Sequence, residues 1–237
     1  MEPSLHDRLS NSELPGELKT SLSKFLNAFE ALPDKPNTIN PHYMRISLNF
    51  LLDEVLGSDD ADTFWWEVVL DLAKKWALDR GESGQEAVIL IEKLEPMLRE
   101  HLPNDDSEIT LKEITRETVF PVIMLSETLS EPKRYFVAPN AVSLSQAHFS
   151  DNAWFRAIYA GRALVGFVML SLDEAEAEYF VWRLMIAEPY HGRGYGRNAI
   201  EAIKDYVRTL PKAGKLVLSY GEGPGSPEGF YKKLGFE

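Results

Sequence analysis

The segment Leu184-Met185-Ile186-Ala187-Glu188-Pro189-Tyr190-His191-Gly192-Arg193-Gly194-Tyr195-Gly196 changes character twice. It opens as the end of an apolar run from Tyr179 to Ile186 that reads as a strand. It then passes through a turn with glycine at every second position and leads into a helix with Ile200, Ile203, Val207 and Leu210 on one face. A strand, a glycine turn and a helix in that order make a pocket for phosphates. The first N–H groups of the helix have no partner within it, and glycine lets an anion approach the backbone closely. Gly192, Gly194 and Gly196 supply that freedom, and Arg193 and Arg197 add positive charge. The same glycines also suit a tight strand-to-helix corner that binds nothing, and the segment alone leaves both readings open.

Upstream, the pattern is one of antiparallel strands. Trp154 to Tyr159 and Leu164 to Leu172 are strand-like, and Ala160-Gly161-Arg162 between them has the length of a hairpin. An acidic loop, Asp173-Glu174-Ala175-Glu176-Ala177-Glu178, joins the second run to the strand from Tyr179. Earlier still, Ile109 to Ile114 alternates like a strand, and Glu117 to Leu129 and Ala141 to Phe149 read as helices, with Pro121 in the first turn of the former. Downstream, Lys215 to Ser219 is a further strand. After a Gly/Pro loop, Ser226-Pro227-Glu228 opens a short last helix, with Ser226 expected as N-cap and Pro227 as first helical residue. Gly194-x-Gly196-x-x-Ala199 also fits the loose dinucleotide fingerprint, which requires the first strand of a parallel sheet before it and an acidic residue ending the next strand. Here hairpins precede it, and the next strand ends Ser219-Tyr220-Gly221 with only Glu222 beyond.

The first hundred residues have a different texture. Leu18, Leu22, Phe25, Leu26 and Phe29 recur at helical steps, as do Tyr43, Ile46, Phe50, Leu51 and Val55. A third run, capped at Asp60 or Asp62, turns Phe64, Trp65, Val68, Val69, Leu72 and Trp76 inward before Gly81 stops it; a fourth spans Ser83 to about Leu102. Four such runs with short connections predict a small helical bundle. Trp65, Trp66 and Trp76 read as core, and His42 and His101 lack partners at ligand spacing, so no metal site and no chemistry is expected there. The polar stretch Leu102-Pro103-Asn104-Asp105-Asp106-Ser107 marks the boundary, giving a helical domain over 1–106 and a second domain over 107–237.

The 237 residues contain no cysteine, which excludes a disulfide scaffold, a thiolate nucleophile and Cys-bound zinc. The net charge of −12 is uneven, −11 over 1–106 against −1 over 107–237. An acidic body argues against duplex nucleic acid, whose binding needs clustered Lys and Arg, and favours encounter with cations. No signal-like leader and no membrane-length apolar run is read, so the expectation is a cytoplasmic protein without membrane contact.

The segment from Leu184 to Gly196, followed some thirty residues later by Phe230-Tyr231-Lys232-Lys233-Leu234-Gly235-Phe236, resembles the GNAT superfamily of acetyl-CoA-dependent N-acetyltransferases. That family's acyl-CoA motif runs Gln/Arg-x-x-Gly-x-Gly/Ala after a strand, and its last helix commonly reads Phe-Tyr-x-Lys-x-Gly-Phe. The resemblance covers 107–237 and implies an α/β (α+β) fold with a mixed, largely antiparallel sheet flanked by helices. It implies that Met185 and Ile186 offer backbone groups to the pantetheine arm of acetyl-CoA. The turn His191, Gly192, Arg193, Gly194, Tyr195, Gly196 would wrap the pyrophosphate with Arg197 nearby, Lys233 would reach the cofactor's phosphate end, and Tyr231 would protonate the leaving thiolate. His191 departs from the usual Gln or Arg. Family members continue past Gly-Phe with further strands, so a natural end at Glu237 would imply an incomplete sheet.

Tyr135-Phe136-Val137-Ala138-Pro139-Asn140, Ser143 to Ala147, Trp182 to Ile186 and Gly225 to Tyr231 are similar to the spermine/spermidine acetyltransferase-like branch. The expected activity is therefore N-acetylation of a small cationic amine, a polyamine first, with the acidic loop 173–178 either holding ammonium groups or simply solvated. The general base is not legible; Glu178 and water are both open. A homodimer and a protein partner for the helical part are further expectations. The rival is a non-catalytic acyl-CoA-binding regulator or scaffold on a degenerate domain of this type.

Overall fold

In the computed structural model of the chain, residues 4–33, 39–57, 64–102 and 108–237 are described. The chain divides into two compact units, Met1–Asp105 and Asp106–Glu237.

The first unit is helical: α1 Leu5–Ser10, α2 Gly16–Glu30, α3 Pro41–Val55, α4 Trp66–Leu78 and α5 Gln85–His101. Most of the apolar positions read from the sequence lie in its core, with Leu22, Phe25, Leu51, Val68, Val69, Leu72 and Leu94 buried. The α3 stripe is displaced: Tyr43 is exposed, Ile46 and Phe50 are half-buried, and the buried face runs through Met44, Leu48, Leu51, Leu52 and Val55. All three tryptophans are buried in it. Asn40 caps α3, its side chain accepting from the His42 N–H at 2.9 Å ahead of Pro41 at the first position. The expected caps of the third run, Asp60 and Asp62, lie outside the described residues. The start of α4 is instead held by Glu54 of α3, whose buried carboxylate accepts from the N–H groups of Trp65 at 2.9 Å and Trp66 at 3.1 Å. A carboxylate facing a helix N-terminus meets both the unpaired N–H groups and the positive end of the dipole. The fourth run starts at Gln85 after a 3₁₀ turn, Gly81–Gly84, and not at Ser83. There Gly84 backs onto the Ala77 carbonyl so closely that an added Cβ would stand 1.8 Å from the oxygen. The short α1 has too few residues to show a periodic stripe.

The second unit is built on a five-stranded sheet in the order β1 Ile109–Lys112, β2 Ala153–Ala160, β3 Ala163–Asp173, β4 Glu178–Ile186, β5 Val217–Leu218. The first three pairings are antiparallel and β4–β5 is parallel. Gly161, at φ +56°, turns the β2–β3 hairpin. The helices are α6 Val119–Leu125, α7 Asn140–His148, α8 Tyr195–Arg208 and α9 Glu228–Lys233. Gln146 of α7 meets Arg183 on one face of the sheet, and Tyr206 of α8 stacks on Trp154 on the other, with ring centroids 4.3 Å apart. With both faces covered, β3 is buried from Ala163 to Leu170.

Several expected elements are shorter. The strand expected to Ile114 stops at Lys112, the helix expected over 117–129 is α6 followed by a 3₁₀ turn, and β5 has two residues in place of five. At α9 the helix begins at Glu228 with Pro227 as the flanking residue; Ser226 still accepts from the Glu228 N–H at 3.2 Å. Among the described residues no helix is long and apolar enough to cross a membrane.

Candidate functional site

The site follows from one irregularity in β4. Met169 pairs with Arg183 and Leu170 with Val181, so Trp182 is an extra residue, a β-bulge. A bulge bends and twists its strand. Before it, Phe180 and Val181 pair with Val217 and Leu218 of β5; after it no pairing joins the two strands among the described residues, and this break in the ladder, along the outer edge of β4, is the cleft of the site.

Alternation along the ladder decides which backbone groups face that cleft. Ala187 N–H donates to Val165 C=O at 2.8 Å, so the hydrogen-bonded pairs on this register are Val165 with Ala187, Phe167 with Met185 and Met169 with Arg183. Leu184 and Ile186 therefore turn their backbone groups outward. Of the two strand residues named from the family pattern, Ile186 faces the cleft. Met185 directs its backbone to β3 and sends its sulfur toward Asn140 Nδ2, 3.7 Å away. Leu184 was missed, because outward and inward backbone groups are distinguishable only once the register is known.

The glycine turn continues directly from Ile186. Gly192 and Gly194 have φ of +80° and +86°, and a Cβ at either would meet nothing within 4 Å, so glycine is required there by the backbone conformation and not by close packing. Gly194 precedes α8, whose first intrahelical bond runs from Asn198 N–H to Gly194 C=O at 3.2 Å. The N–H groups of Gly196 and Arg197 precede that bond and have no acceptor within the helix. Such a cradle suits a diphosphate. Its side chains divide. Tyr195 buries its ring against Tyr190, and Arg193 donates to the Pro189 carbonyl at 3.1 Å with its guanidinium 5.1 Å from the Tyr190 ring. Arg197 is exposed on the first turn of α8, and Lys233 is exposed on the last turn of α9.

His191 donates from Nε2 to the Ile186 carbonyl at 2.7 Å and accepts at Nδ1 from Lys133 Nζ at 3.4 Å. This fixes the tautomer and takes the one outward carbonyl of β4 adjoining the turn. Lys133 also donates to Glu188 at 2.5 Å; Glu188 further accepts from the Ser130 N–H at 2.6 Å and its hydroxyl at 2.7 Å. Burial works to raise the Glu188 carboxyl, but the bonds from Lys133 and Ser130 and the lysine's charge outweigh it and hold it down at about 2. This clasp ties the turn to the segment before α7, and no sequence signal announced it.

Tyr231 stands on the far flank of the cleft. Phe230 packs on the first turn of α8, its ring 3.2 Å from where a Gly196 Cβ would sit, and Tyr231 stacks on Tyr220, two residues past β5, at 5.9 Å and 14°. Burial alone pushes the Tyr231 phenol up to about 12. The acidic hairpin lies elsewhere. Glu178 opens β4, eight residues from Ile186, roughly 26 Å at the rise of a strand.

Residues 122–236 match the model of the acetyltransferase (GNAT) family. Over those residues the second unit is GNAT-like. An uncharacterised N-acetyltransferase of Shouchella clausii is 36% identical to this chain over 92 residues, covering 35% of the chain and 50% of that protein. The chain thus spans about half the length of the curated relative it matches. The crystal structure of an acetyltransferase from Thermus thermophilus superposes with a TM-score of 0.41 at 20% identity, over 56% of this chain and 90% of that one. The GNAT match takes in β2 to β5, α8 and α9, and so includes the bulge, the glycine turn and Tyr231.

Proposed function

We propose that the GNAT-like unit transfers the acetyl group of acetyl-CoA to a primary amine by direct attack. The observation that carries this reading is the parting of β4 and β5 at Trp182, which aims the outward groups of Leu184 and Ile186 at a cleft whose one end is the glycine turn. The N–H groups of Gly196 and Arg197 hold the diphosphate of the co-substrate, with Arg197 and Lys233 as cationic reach. The pantetheine amides meet the strand edge at Ile186.

An amine nitrogen attacks the thioester carbonyl as a neutral base, so the ammonium first loses a proton. Between the bulge and Ile186, β4 carries no carboxylate or histidine, and Glu178 is exposed at the strand's other end, so the proton leaves to water. The Leu184 N–H, the first outward donor past the bulge, stabilises the oxyanion. As the C–N bond forms, the attacking nitrogen gives up its second proton to water; as the C–S bond breaks, Tyr231 gives its phenolic proton to the sulfur and regains one from solvent. A phenol pushed up to about 12 stays protonated throughout the neutral range, as a donor must.

The acceptor is a small amine, cationic in solution. Overall charge favours a cation of any shape and the spermine/spermidine-like stretches keep a polyamine among the candidates; the acidic hairpin, at the far end of β4, adds no support to it. The helical unit has no assigned step.

Calorimetric titration of acetyl-CoA, with NAD as control and Gly194→Asp as variant, tests the cofactor site, and CoA release over an amine panel tests the reaction. Binding of acetyl-CoA alone, lost in Gly194→Asp, followed by amine-dependent CoA release, is the expected result. Normal binding with no release for any amine would leave a non-catalytic acyl-CoA-binding protein.

A further inference from the structure

On the α7 side of the sheet, the bulge opens onto a second concavity. A groove of about 580 Å³ runs between α7 and β4, lined among others by Ala141, Val142, Ser145, Gln146, Phe149 and Trp182. The groove is shallow and open to solvent along most of its length. Its wall is unusual for a surface: the Phe149 side chain is 87% exposed and Val142 is 45% exposed, facing the same space as the bulge tryptophan. None of its lining residues carries a carboxylate. Behind its polar wall stands a cation instead. Arg183 donates to Gln146 Oε1 at 3.3 Å and to the Trp182 carbonyl at 2.8 Å, and its buried Nε has no partner.

We infer that this groove holds the body of the acetyl acceptor, and that the acceptor is a monoamine carrying one flat apolar group in preference to a polyamine. The inference rests on the acetyltransferase reading and deepens it. Trp182 joins the two halves of the argument: it is the extra residue that parts β4 from β5 and also a wall of the groove, so a molecule seated there has its amine beside the cleft. An aromatic or branched body buries apolar area against Phe149, Val142 and Trp182. A second ammonium in the same place finds no carboxylate and stands near the Arg183 guanidinium, so extra charge is a penalty.

The test is initial rates at saturating acetyl-CoA with 2-phenylethylamine and with spermidine, on wild type, Phe149→Ala and Val142→Asp. Both substitutions are at exposed positions of α7 or its end, so folding is retained. Wild type is expected to favour 2-phenylethylamine in kcat/KM on the order of tenfold. Phe149→Ala raises KM for 2-phenylethylamine by about tenfold and leaves spermidine unchanged, and Val142→Asp, which supplies the missing carboxylate, shifts the preference toward spermidine. Equal or better use of spermidine by wild type, with both amines indifferent to the two substitutions, overturns the inference while the acetyltransferase reading stands. If no amine releases CoA, the acetyltransferase reading falls, and the groove is judged by titrating both amines into the acetyl-CoA-loaded protein with tryptophan fluorescence as readout. Saturable binding of 2-phenylethylamine that weakens in Phe149→Ala then upholds the apolar groove, and its absence overturns it.

Discussion

Two side chains show how position within the tertiary structure sets chemistry. In the proposed reaction Tyr231 is the proton donor, and burial keeps its proton: the phenol is pushed up to about 12, which keeps it neutral beyond any neutral assay. Tyr231→Phe is expected to lower kcat about 10²-fold with acetyl-CoA affinity unchanged, in steady-state rates and calorimetry. The wild-type rate should show no loss from Tyr231 ionisation between about pH 7 and 10. Glu188 is the opposite case, a carboxyl held down at about 2. A depressed folded value stabilises wherever the unfolded carboxyl is already ionised, so this stability is complete above about pH 4.5 and is lost as pH falls toward 2. Because Lys133 is partly exposed, the contribution is discounted to about 1–2 kcal/mol; denaturation of wild type and Glu188→Gln should show that gap at pH 7 and a smaller one at pH 3. Tyr231 was legible because its motif is local. Glu188 was not: a glutamate before proline at a strand end reads as surface, and its partners Ser130 and Lys133 lie 58 and 55 residues away.

Among the elements, strand β4 and helix α4 each depend on a neighbour. The sequence Val181-Trp182-Arg183-Leu184 has nothing in its pattern to mark an extra residue; the bulge exists only relative to β3. The same bulge accounts for the end of β5 at Leu218, since its pairing with β4 stops at Val181; it does not account for the start at Val217 in place of Lys215. Helix α4 starts at Trp66 without a cap of its own and takes one from Glu54. Glu54→Ala leaves two buried N–H groups unpaired and should cost the helical unit about 2–4 kcal/mol. Tryptophan fluorescence during urea unfolding reads this directly, since Trp65, Trp66 and Trp76 all lie in that unit.

For the whole molecule, the net charge of −12 acts at long range, whatever the acceptor's shape. It predicts that kcat/KM for a cationic amine falls about two- to fivefold as ionic strength rises from about 0.02 to 0.2 M, because the Debye length shrinks below the distances involved. The kcat should change little, and a salt series at fixed pH checks both. Charge along the chain misled on a finer point. Asp173 to Glu178 adjoin β4 in sequence, but a strand carries its two ends apart, and the carboxylates finish at the end opposite the glycine turn.

The sequence by itself determined the features that local backbone chemistry dictates: helical stripes in the first half, hairpins in the second, and a glycine turn whose positive φ values only glycine adopts readily. It also determined Tyr231 and the turn as one constellation, because both motifs are contiguous. Only the tertiary structure decided that Leu184 and Ile186 face the cleft, that Glu188 clasps Ser130 and Lys133, and that Trp182, Val142 and Phe149 share a groove. The physical reason is register: which groups of a strand point outward, and which helix they meet, depends on how the strand pairs with another that is distant in sequence.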